Sequence, residues 1–200
     1  MTDREYIEIR EKYPDPYDNS EWHTHYEGEE EDYKKIVEYN KALCEEFPFL
    51  IPSNRWSGIK ITEAQNGGYW PGSPDDIPNY DYTYTELDDM PTGWRLAFGL
   101  DMCREIKEEL IKFDYLDKYR ITQIKEKYGS LRWYCGGYPR DSKIDEIISK
   151  YERLSYYTCI GCGKPAKWVS IGWISPWCDD CKHKYNDDRY VPIEDYYGED

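Results

Sequence analysis

Four cysteines in the C-terminal part of the chain have the residue type and the spacing for metal chemistry. Cys159 and Cys162 form one C-x2-C pair, and Cys178 and Cys181 form a second pair after fifteen intervening residues. Two such pairs at this separation are typical of a closed tetrahedral zinc site with four thiolate ligands. Two disulfides and a redox C-x-x-C motif are rival interpretations, but a redox motif needs no second pair. The spacing therefore predicts one structural Zn²⁺, which stabilises the fold and takes no part in a reaction.

Other residues that could catalyse a reaction are sparse. The sequence contains no phosphate-binding glycine loop, no H-E-x-x-H motif and no serine, histidine and aspartate set in a supporting context. The acidic pairs at 75–76 and 88–89 could hold Mg²⁺ for a nuclease reaction, although acidic pairs on turns more often cap the backbone. His23 and His25 could bind a metal, but histidines at this spacing without a nearby ligand pattern are more often surface residues. We therefore expect a protein that is not an enzyme.

The charge of the chain restricts its partners. Of 200 residues, 41 are acidic and 26 are basic, which gives a formal net charge of −15. Residues 1–50 carry a net charge of −9, whereas residues 101–150 carry a net charge of +1. A chain this acidic is repelled by the phosphates of DNA and RNA. We therefore expect a basic partner, and the charge disfavours direct binding to nucleic acid.

The remaining cysteines and the start of the chain indicate a reducing compartment. Cys44, Cys103 and Cys135 lie in apolar patterns and are expected to be buried free thiols. The sequence starts with charged residues, no apolar signal segment follows, and no run approaches the length of a membrane span. These features predict a cytoplasmic protein.

Hydrophobic periodicity predicts an α+β fold. Apolar residues at three- and four-residue steps predict three amphipathic helices, and the start of the chain can form a shorter one; the four ranges are 29–47, 92–113, 142–155 and 3–12. Thr92 is the expected cap of the second helix in this list. The dipeptide Gly129-Ser130 predicts a tight turn in a hairpin of residues 119–128 and 131–135. We expect a small antiparallel sheet packed by helices, with a C-terminal zinc-ribbon-like module.

Four segments follow from these patterns. They are an acidic N-terminal segment with one main helix, an α+β core, a zinc module and an acidic tail that we expect to fray; their ranges are 1–47, 48–156, 157–189 and 190–200. Residues 79–85 alternate tyrosine with polar residues, which predicts a strand. Its tyrosines either line the edge of the core or form a tyrosine-rich acidic surface for a partner.

Three stretches carry a resemblance to a known group of proteins. They are the sequence LDDMPTGWR at 87–95, the sequence YRITQIKEKYGSLRWY at 119–134 and the sequence GWISPWCDDC at 172–181. Together they resemble a family of small proteins carried by bacterial prophages and mobile elements, which share the GWR helix start, the IKEKYGSLR hairpin and a four-cysteine zinc site. The resemblance covers residues 47–184 and implies zinc and a phage setting inside a bacterial host cell, but no reaction.

The main functional hypothesis combines the charge with the phage setting. Carboxylates and rigid aromatic rings can imitate a phosphate backbone and occupy the basic site of a nucleic-acid-handling enzyme. A host defence protein, such as a CRISPR or restriction nuclease, is the expected target, and binding would inhibit it. The candidate partner-binding residues are Glu29, Glu30, Glu31, Asp32, Asp75, Asp76, Tyr80, Asp81, Tyr82 and Tyr84.

Two alternatives remain open. Tyrosine and tryptophan rings can stack on a base, so the protein could sequester a nucleotide signal if Arg95, Arg132 and Arg140 converge on its phosphates. The second alternative is a metal-dependent nuclease that uses one of the acidic pairs. The simplest explanation of the charge is that it only keeps the protein in solution.

Overall fold

A computed structural model describes residues 1–12, 29–53, 80–182 and 189–198. These residues form an α+β fold with two small antiparallel sheets and a cluster of four cysteines near the C-terminus, as the sequence predicts. Within the described ranges, every helix is too short or too polar to cross a membrane.

Seven α-helices, two short 3-10 helices and one π-helical turn are present among the described residues. The α-helices are α1 Asp3–Arg10, α2 Glu30–Glu46, α3 Thr92–Trp94, α4 Leu100–Phe113, α5 Ile144–Tyr156, α6 Asp179–Lys182 and α7 Ile193–Tyr197. The 3-10 helices are Pro48–Leu50 and Glu86–Asp89, and the π-helical turn Arg95–Gly99 joins α3 to α4. The helices predicted around 29–47, 92–113 and 142–155 are therefore confirmed, with shifts of one or two residues at most ends.

Two sheets accompany these helices. β1 Arg120–Lys127 pairs with β2 Ser130–Gly136 in a hairpin, with Ile124 opposite Trp133. The second sheet has the order β4-β3-β5, where β3 is Trp168–Ser170, β4 is Pro176–Trp177 and β5 is Tyr190–Pro192. Because β5 pairs with β3, the segment predicted to fray is an integral strand of this sheet, and α7 follows it directly.

The hairpin turn lies one residue earlier than predicted. Lys127 pairs with Ser130, so the two turn residues are Tyr128 and Gly129, with φ values of 54° and 78°. Positive φ at both positions defines the type I′ geometry that matches the twist of the flanking strands. Glycine adopts this geometry without strain, whereas tyrosine rarely does.

One hydrophobic core connects the hairpin to α4 and α5. It includes Trp94, Met102, Ile106, Leu110, Ile121, Ile124, Leu131, Trp133, Ile144 and Tyr151, all of them buried. Helix α5 also covers the free edge of β2, because Leu131 N donates to Ser155 Oγ over 2.8 Å and Trp133 N donates to Glu152 Oε1 over 3.4 Å. Side chains thereby satisfy backbone groups that an open edge would expose. Leu154, near the end of α5, is 43% exposed.

A second, smaller core forms between α1 and α2. Tyr6, Ile7, Ile9 and Ile36 are buried there. Thr2 and Glu5 start α1 with a reciprocal capping box, which satisfies backbone donors at the first turn. The expected burial of the free cysteines is confirmed for Cys44 and Cys103, whereas Cys135 is partly buried.

The strand predicted over residues 79–85 is wrong for the part of it that the structure describes. Asp81 Oδ1 accepts hydrogen bonds from the Thr83 backbone N–H over 3.0 Å and from its hydroxyl over 2.7 Å. Tyr82 adopts a left-handed φ of 63°. Such local side-chain bonds compete with strand pairing. Thr83 and Thr85 are buried, while the tyrosines are only half-buried.

Candidate metal centre

The four predicted metal ligands meet in one cluster. The Sγ atoms of Cys159, Cys162, Cys178 and Cys181 all lie within 4.8 Å of one another, and those of Cys162 and Cys178 are 3.6 Å apart. Four thiolates bound tetrahedrally at about 2.3 Å from one ion would be roughly 3.8 Å apart. Disulfide sulfurs are only about 2.05 Å apart, and all four cysteines are free. The cluster therefore fits a single four-coordinate metal ion.

A tight turn after α5 positions the first cysteine pair. Cys159 N donates to Lys164 O over 2.8 Å, and Gly163 N donates to Cys159 O over 2.9 Å. Burial raises the pKa of the Cys159 thiol, while the backbone N–H groups of Cys178, Gly161 and Cys162 act in the opposite direction. Hydrogen bonds of this kind stabilise a thiolate and fix its direction.

The second pair lies between β4 and α6. Cys178 follows β4 directly. Burial raises the pKa of its thiol, but the Cys181 backbone N–H and the neighbouring cysteine side chains outweigh burial and lower that pKa. Burial raises the pKa of the Cys159 and Cys181 thiols above the ordinary value. A divalent cation would favour the thiolate form and displace these protons.

Polar side chains around the cluster link the first loop to α6. Lys164 Nζ lies 2.7 Å from Asp180 Oδ2, and Lys167 Nζ lies 2.6 Å from Asp179 Oδ2. Trp168 Nε1 donates to the other oxygen of Asp179 over 2.8 Å. Exposed pairs of this type contribute at most about 1 kcal/mol each. Their effect is to orient the two loops, and the sulfurs supply the stronger connection.

The metal-site loop lies directly against the start of α3. Gly93 N donates to Ile160 O over 2.8 Å, and Trp94 Nε1 donates to Thr158 O over 2.9 Å. A Cβ atom at Gly93 would lie 2.2 Å from Cys159 O, which is shorter than any real contact of this kind. Glycine is therefore required for this approach. The predicted zinc module is joined to the core at this dipeptide.

Sequence reasoning missed this junction. It assigned Thr92 as a helix cap, but Pro91 occupies the cap position and no side chain makes the capping bond. The carbonyl of Ile160 satisfies the Gly93 donor instead. The Gly-Trp dipeptide at the helix start was the available signal. A glycine beside a large apolar ring permits another segment to pack closely at that point.

Arg95 is buried in an ion-pair network, which corrects its predicted role in ligand binding. Its guanidinium donates to Asp88 Oδ1 over 2.7 Å and to Asp3 Oδ1 over 2.9 Å, and it lies 4.5 Å from the centre of the Tyr6 ring. The side chain is only 2% exposed. Burial opposes its charge, but the carboxylates of Asp88 and Asp3 outweigh burial and raise the pKa of Arg95. Arg95 therefore joins α1 to the π-helical turn between α3 and α4.

Asp88 is fully engaged in the same network. Its Oδ1 also accepts from the Tyr6 hydroxyl over 2.7 Å, and its Oδ2 accepts from the Thr85 backbone N–H over 2.7 Å and from the Thr85 hydroxyl over 2.9 Å. A Mg²⁺ ion at this pair would have to replace those donors. The geometry therefore does not favour the nuclease interpretation of residues 88–89.

The other two arginines of the predicted ligand site lie elsewhere. Arg132 is on β2, where Nη1 donates to Leu131 O over 2.9 Å and lies 3.9 Å from Glu152 Oε2. Arg140 is exposed in the loop between β2 and α5. Because Arg95 is buried and Arg140 is exposed, the three side chains do not form one accessible phosphate site.

The predicted acidic interface separates into exposed and buried residues. Glu29, Glu30 and Glu31 are exposed at the start of α2. Glu30 and Glu31 pair with lysines one turn later, at 2.6 Å and 2.9 Å. Asp32 is buried, with Oδ2 3.5 Å from Lys12 Nζ of the segment after α1. This position corrects its predicted role, because Asp32 connects the first two helices.

The predicted tyrosine surface is only partly accessible. The Tyr80 and Tyr82 rings lie 4.6 Å apart, and the Tyr80 hydroxyl donates to Tyr84 O. Lys41 Nζ of α2 lies 5.6 Å from the Tyr82 ring centre, while Asp81 is exposed. Four further candidate residues lie outside the described residues: Asp75, Asp76, His23 and His25.

Comparison with known proteins adds no relative. No protein-family model matches the chain, and neither a curated protein nor a solved structure matches it.

Proposed function

We propose that the cysteine cluster binds one structural Zn²⁺ and that the protein is a non-enzymatic inhibitor of a nucleic-acid-handling protein. Four thiolates in tetrahedral reach of one another suit Zn²⁺, and such a closed site leaves no position open for a substrate. The metal would hold the two cysteine loops together at the start of α3. Its role is to stabilise the scaffold, and the inhibitory contact lies elsewhere.

The observation that carries the inhibitory role is the meeting of two distant acidic stretches. Burial and, to a smaller extent, the Asp81 carboxylate raise the pKa of the Tyr33 phenol of α2. Arg10 Nη1 of α1 donates to Thr83 O over 3.3 Å, and Asn40 Nδ2 of α2 donates to Tyr82 O over 2.7 Å, which holds the turn after Asp81 against both helices. The turn that carries Asp81 and the helix that begins with the glutamates are thereby in contact, although they are about fifty positions apart in the sequence.

We call Glu29, Glu30, Glu31 and Asp81 the acidic end. All four are exposed, and the carboxylates are spaced on a rigid helix and turn. Carboxylates held in this way are suited to arginine and lysine side chains of a basic surface. Because the sequence resembles a family carried by prophages, a host defence nuclease is the target we favour.

Charge reversal at the acidic end tests this function. The triple substitution of Glu29, Glu30 and Glu31 to lysine changes the charge at the acidic end by six units. The matched control reverses Glu38, Glu45 and Glu46, which are three exposed acids elsewhere on α2. The two variants have the same composition and the same net charge, so only the place of the change differs.

Affinity purification from a bacterial host lysate at low and high salt provides the readout. We expect a basic nucleic-acid-binding protein to co-purify with the wild type and the control at low salt, and to be lost at high salt. The acidic-end variant should not retain it, and added wild-type protein should displace nucleic acid from the purified partner. Equal retention by both variants, or no competition with nucleic acid, would contradict the proposal.

A further inference from the structure

The tip of the β1–β2 hairpin lies against the C-terminal sheet. A Cβ atom at Gly129 would lie 2.9 Å from Ile174 Cγ2 and 3.0 Å from the Tyr197 hydroxyl. The loop between β3 and β4, which contains Ile174, therefore meets the tip of the first hairpin. Two sheets that are far apart in the sequence form one continuous surface at this point.

Large aromatic side chains project from this surface. Trp173 is 79% exposed and Tyr128 is 69% exposed. Tyr157 and Tyr196 are 43% and 40% exposed, and both contact the Tyr197 ring, with centroid distances of 6.2 Å and 4.9 Å. We call Trp173, Tyr128, Tyr157 and Tyr196 the aromatic platform. Tyr157 and Tyr196 meet at the Tyr197 ring, and Trp173 and Tyr128 are the sequence neighbours of Ile174 and Gly129, which meet at the hairpin tip. Exposed aromatic residues grouped in this way indicate a binding surface.

The backbone that carries the two most exposed rings is fixed by local contacts. Tyr128 occupies a left-handed turn position that asparagine or glycine normally takes, so the ring is present at a cost to the turn. Ser170 fixes the loop around Trp173, because its hydroxyl donates to Trp173 O over 2.6 Å and accepts from Ser175 N over 3.1 Å. A backbone that is already ordered reduces the entropy lost on binding.

One lysine lies at the aromatic platform, and a second lies farther along the same strand. Lys127 Nζ lies 5.4 Å from the Tyr128 ring centre, and on the same strand Lys125 Nζ lies 5.2 Å from the ring of Tyr134. Residues 119–136 contain four basic residues and one acid, Glu126. That acid accepts a hydrogen bond from Gly129 N over 2.6 Å and so is held within the turn. The hairpin's own residues therefore carry a net charge of +3 in an acidic chain, with Glu152 of α5 lying 3.9 Å from Arg132.

We propose that the aromatic platform and the hairpin lysines bind single-stranded nucleic acid. Exposed rings can stack on successive bases, and Lys125, Lys127 and Arg132 can contact the phosphates between them. Rings that project this far cannot enclose a free nucleotide, which needs a concave pocket. A single-stranded nucleic acid gains affinity because several of its bases can stack on successive rings. The net charge of −15 argued against nucleic acid, but charge counted over the whole chain conceals a basic hairpin.

Fluorescence anisotropy with labelled twelve-nucleotide oligo-dT and oligo-U, at about 50 and 300 mM salt, tests this binding. The wild type should bind at low salt and lose affinity at high salt. Trp173→Ala and Tyr128→Asn should each weaken binding at least about fivefold, because each removes one stacking ring. Lys127→Ala should also weaken binding and flatten its salt dependence, whereas Lys118→Ala, at a lysine 4.1 Å from the Tyr115 ring, should not.

Tyr128→Asn separates binding from folding. Asparagine tolerates the left-handed turn better than tyrosine, so this variant should melt at a higher temperature while it binds more weakly. No binding of the wild type at low salt would overturn the proposal, as would wild-type affinity in both platform variants. Equal competition by free nucleotides would assign the platform to a mononucleotide, and a dimer that Trp173→Ala dissociates would assign it to a second copy of the chain; either result overturns it.

Discussion

The continuous helical segment formed by α3, the π-helical turn and α4 carries two junctions at its start, and they work in different ways. On one side, Gly93 and Trp94 contact the metal-site loop through backbone hydrogen bonds and a close approach without a side chain. On the other side, Arg95 holds Asp3 and Asp88 through a buried ion pair. Three consecutive residues thus fasten the C-terminal module and the N-terminal helix to the same core. One junction depends on close packing against the loop of the cysteine cluster, and the other depends on charge.

This difference decides what disrupts each junction. A closed thiolate site responds to chelators, acid and oxidation, because its ligands must be deprotonated and reduced. A buried ion pair responds to the loss of either partner, because the remaining charge is left without compensation. Perturbations can therefore be chosen that break one junction while leaving the other intact.

Loss of the metal should have the largest effect. Cys162→Ser, or a strong zinc chelator added to the wild type, should lower the free energy of unfolding by at least ~5 kcal/mol, because binding free energy in such sites is folding free energy. Thermal unfolding with zinc determination measures this. Cys135→Ser, at a partly buried cysteine outside the cluster, is the control and should retain one metal ion. An unchanged melting temperature after the metal is removed would show that it is not structural.

Removal of the buried charge should come next. Arg95→Leu leaves Asp3 and Asp88 without their partner and should cost roughly 3–5 kcal/mol. Arg104→Leu, which removes an exposed arginine paired with Asp101, should change stability by less than about 1 kcal/mol. Chemical denaturation of both variants gives the comparison. Metal content should stay at the wild-type level in Arg95→Leu, and its loss would mean that the junctions are not separable.

A methyl group at the metal-side junction should have a smaller effect. Gly93→Ala forces a Cβ atom into the Cys159 carbonyl and should cost ~2–3 kcal/mol through overpacking. Gly136→Ala is the matched control, because a Cβ there meets no atom within 4 Å. Denaturant titration should show that only the first variant is destabilised. Equal stability of the two variants would contradict the described contact between loop and helix.

The smallest effect concerns Glu109 of α4, which accepts a hydrogen bond from the backbone at the start of α5. The Lys112 ammonium and the Lys143 backbone N–H, at 2.8 Å and 2.9 Å, lower the pKa of Glu109. Because the folded-state pKa lies below the unfolded value of about 4.3, this stabilisation is complete above that pH and is lost as the pH falls through the folded-state pKa. Glu109→Gln should cost about 1–2 kcal/mol at neutral pH.

The stability difference between wild type and Glu109→Gln should shrink as the pH falls below about 4. Denaturant titrations at several pH values measure this difference, and acid release of the metal affects both proteins alike. A difference that does not change with pH would mean that the carboxylate charge of Glu109 contributes nothing.

The cysteine ligands beside the metal-side junction were predictable from the sequence, whereas the contact at Gly93 and the charge-side junction were not. The cysteine ligands and the amphipathic helices repeat at short spacings that reflect local geometry, so the sequence identifies them directly. Arg95 and Asp3 are 92 positions apart, and no local pattern pairs one acid among 41 with one arginine. Long-range charge pairing follows from the tertiary fold and leaves no periodic signal.

Local exceptions explain the remaining differences. The alternation at residues 79–85 resembles a strand, but Asp81 and Thr83 bond to each other and replace the ladder. The segment after residue 189 looked like a polar tail, yet β3 offers it an edge to pair with. In both cases the hydrogen-bond partners available in the fold decide the local structure, and the sequence pattern does not.

Amide hydrogen exchange of the metal-bound and chelated protein tests most directly whether the metal site and the core are joined at Gly93. If they are joined, metal removal should strip protection from the loop at 158–165 and also from the Gly93 amide, which donates to Ile160. The amides of α1, which Arg95 holds through Asp3, should keep their protection longer. Loss of protection in the loop with an unchanged Gly93 amide would contradict the junction and make the metal module an independent unit.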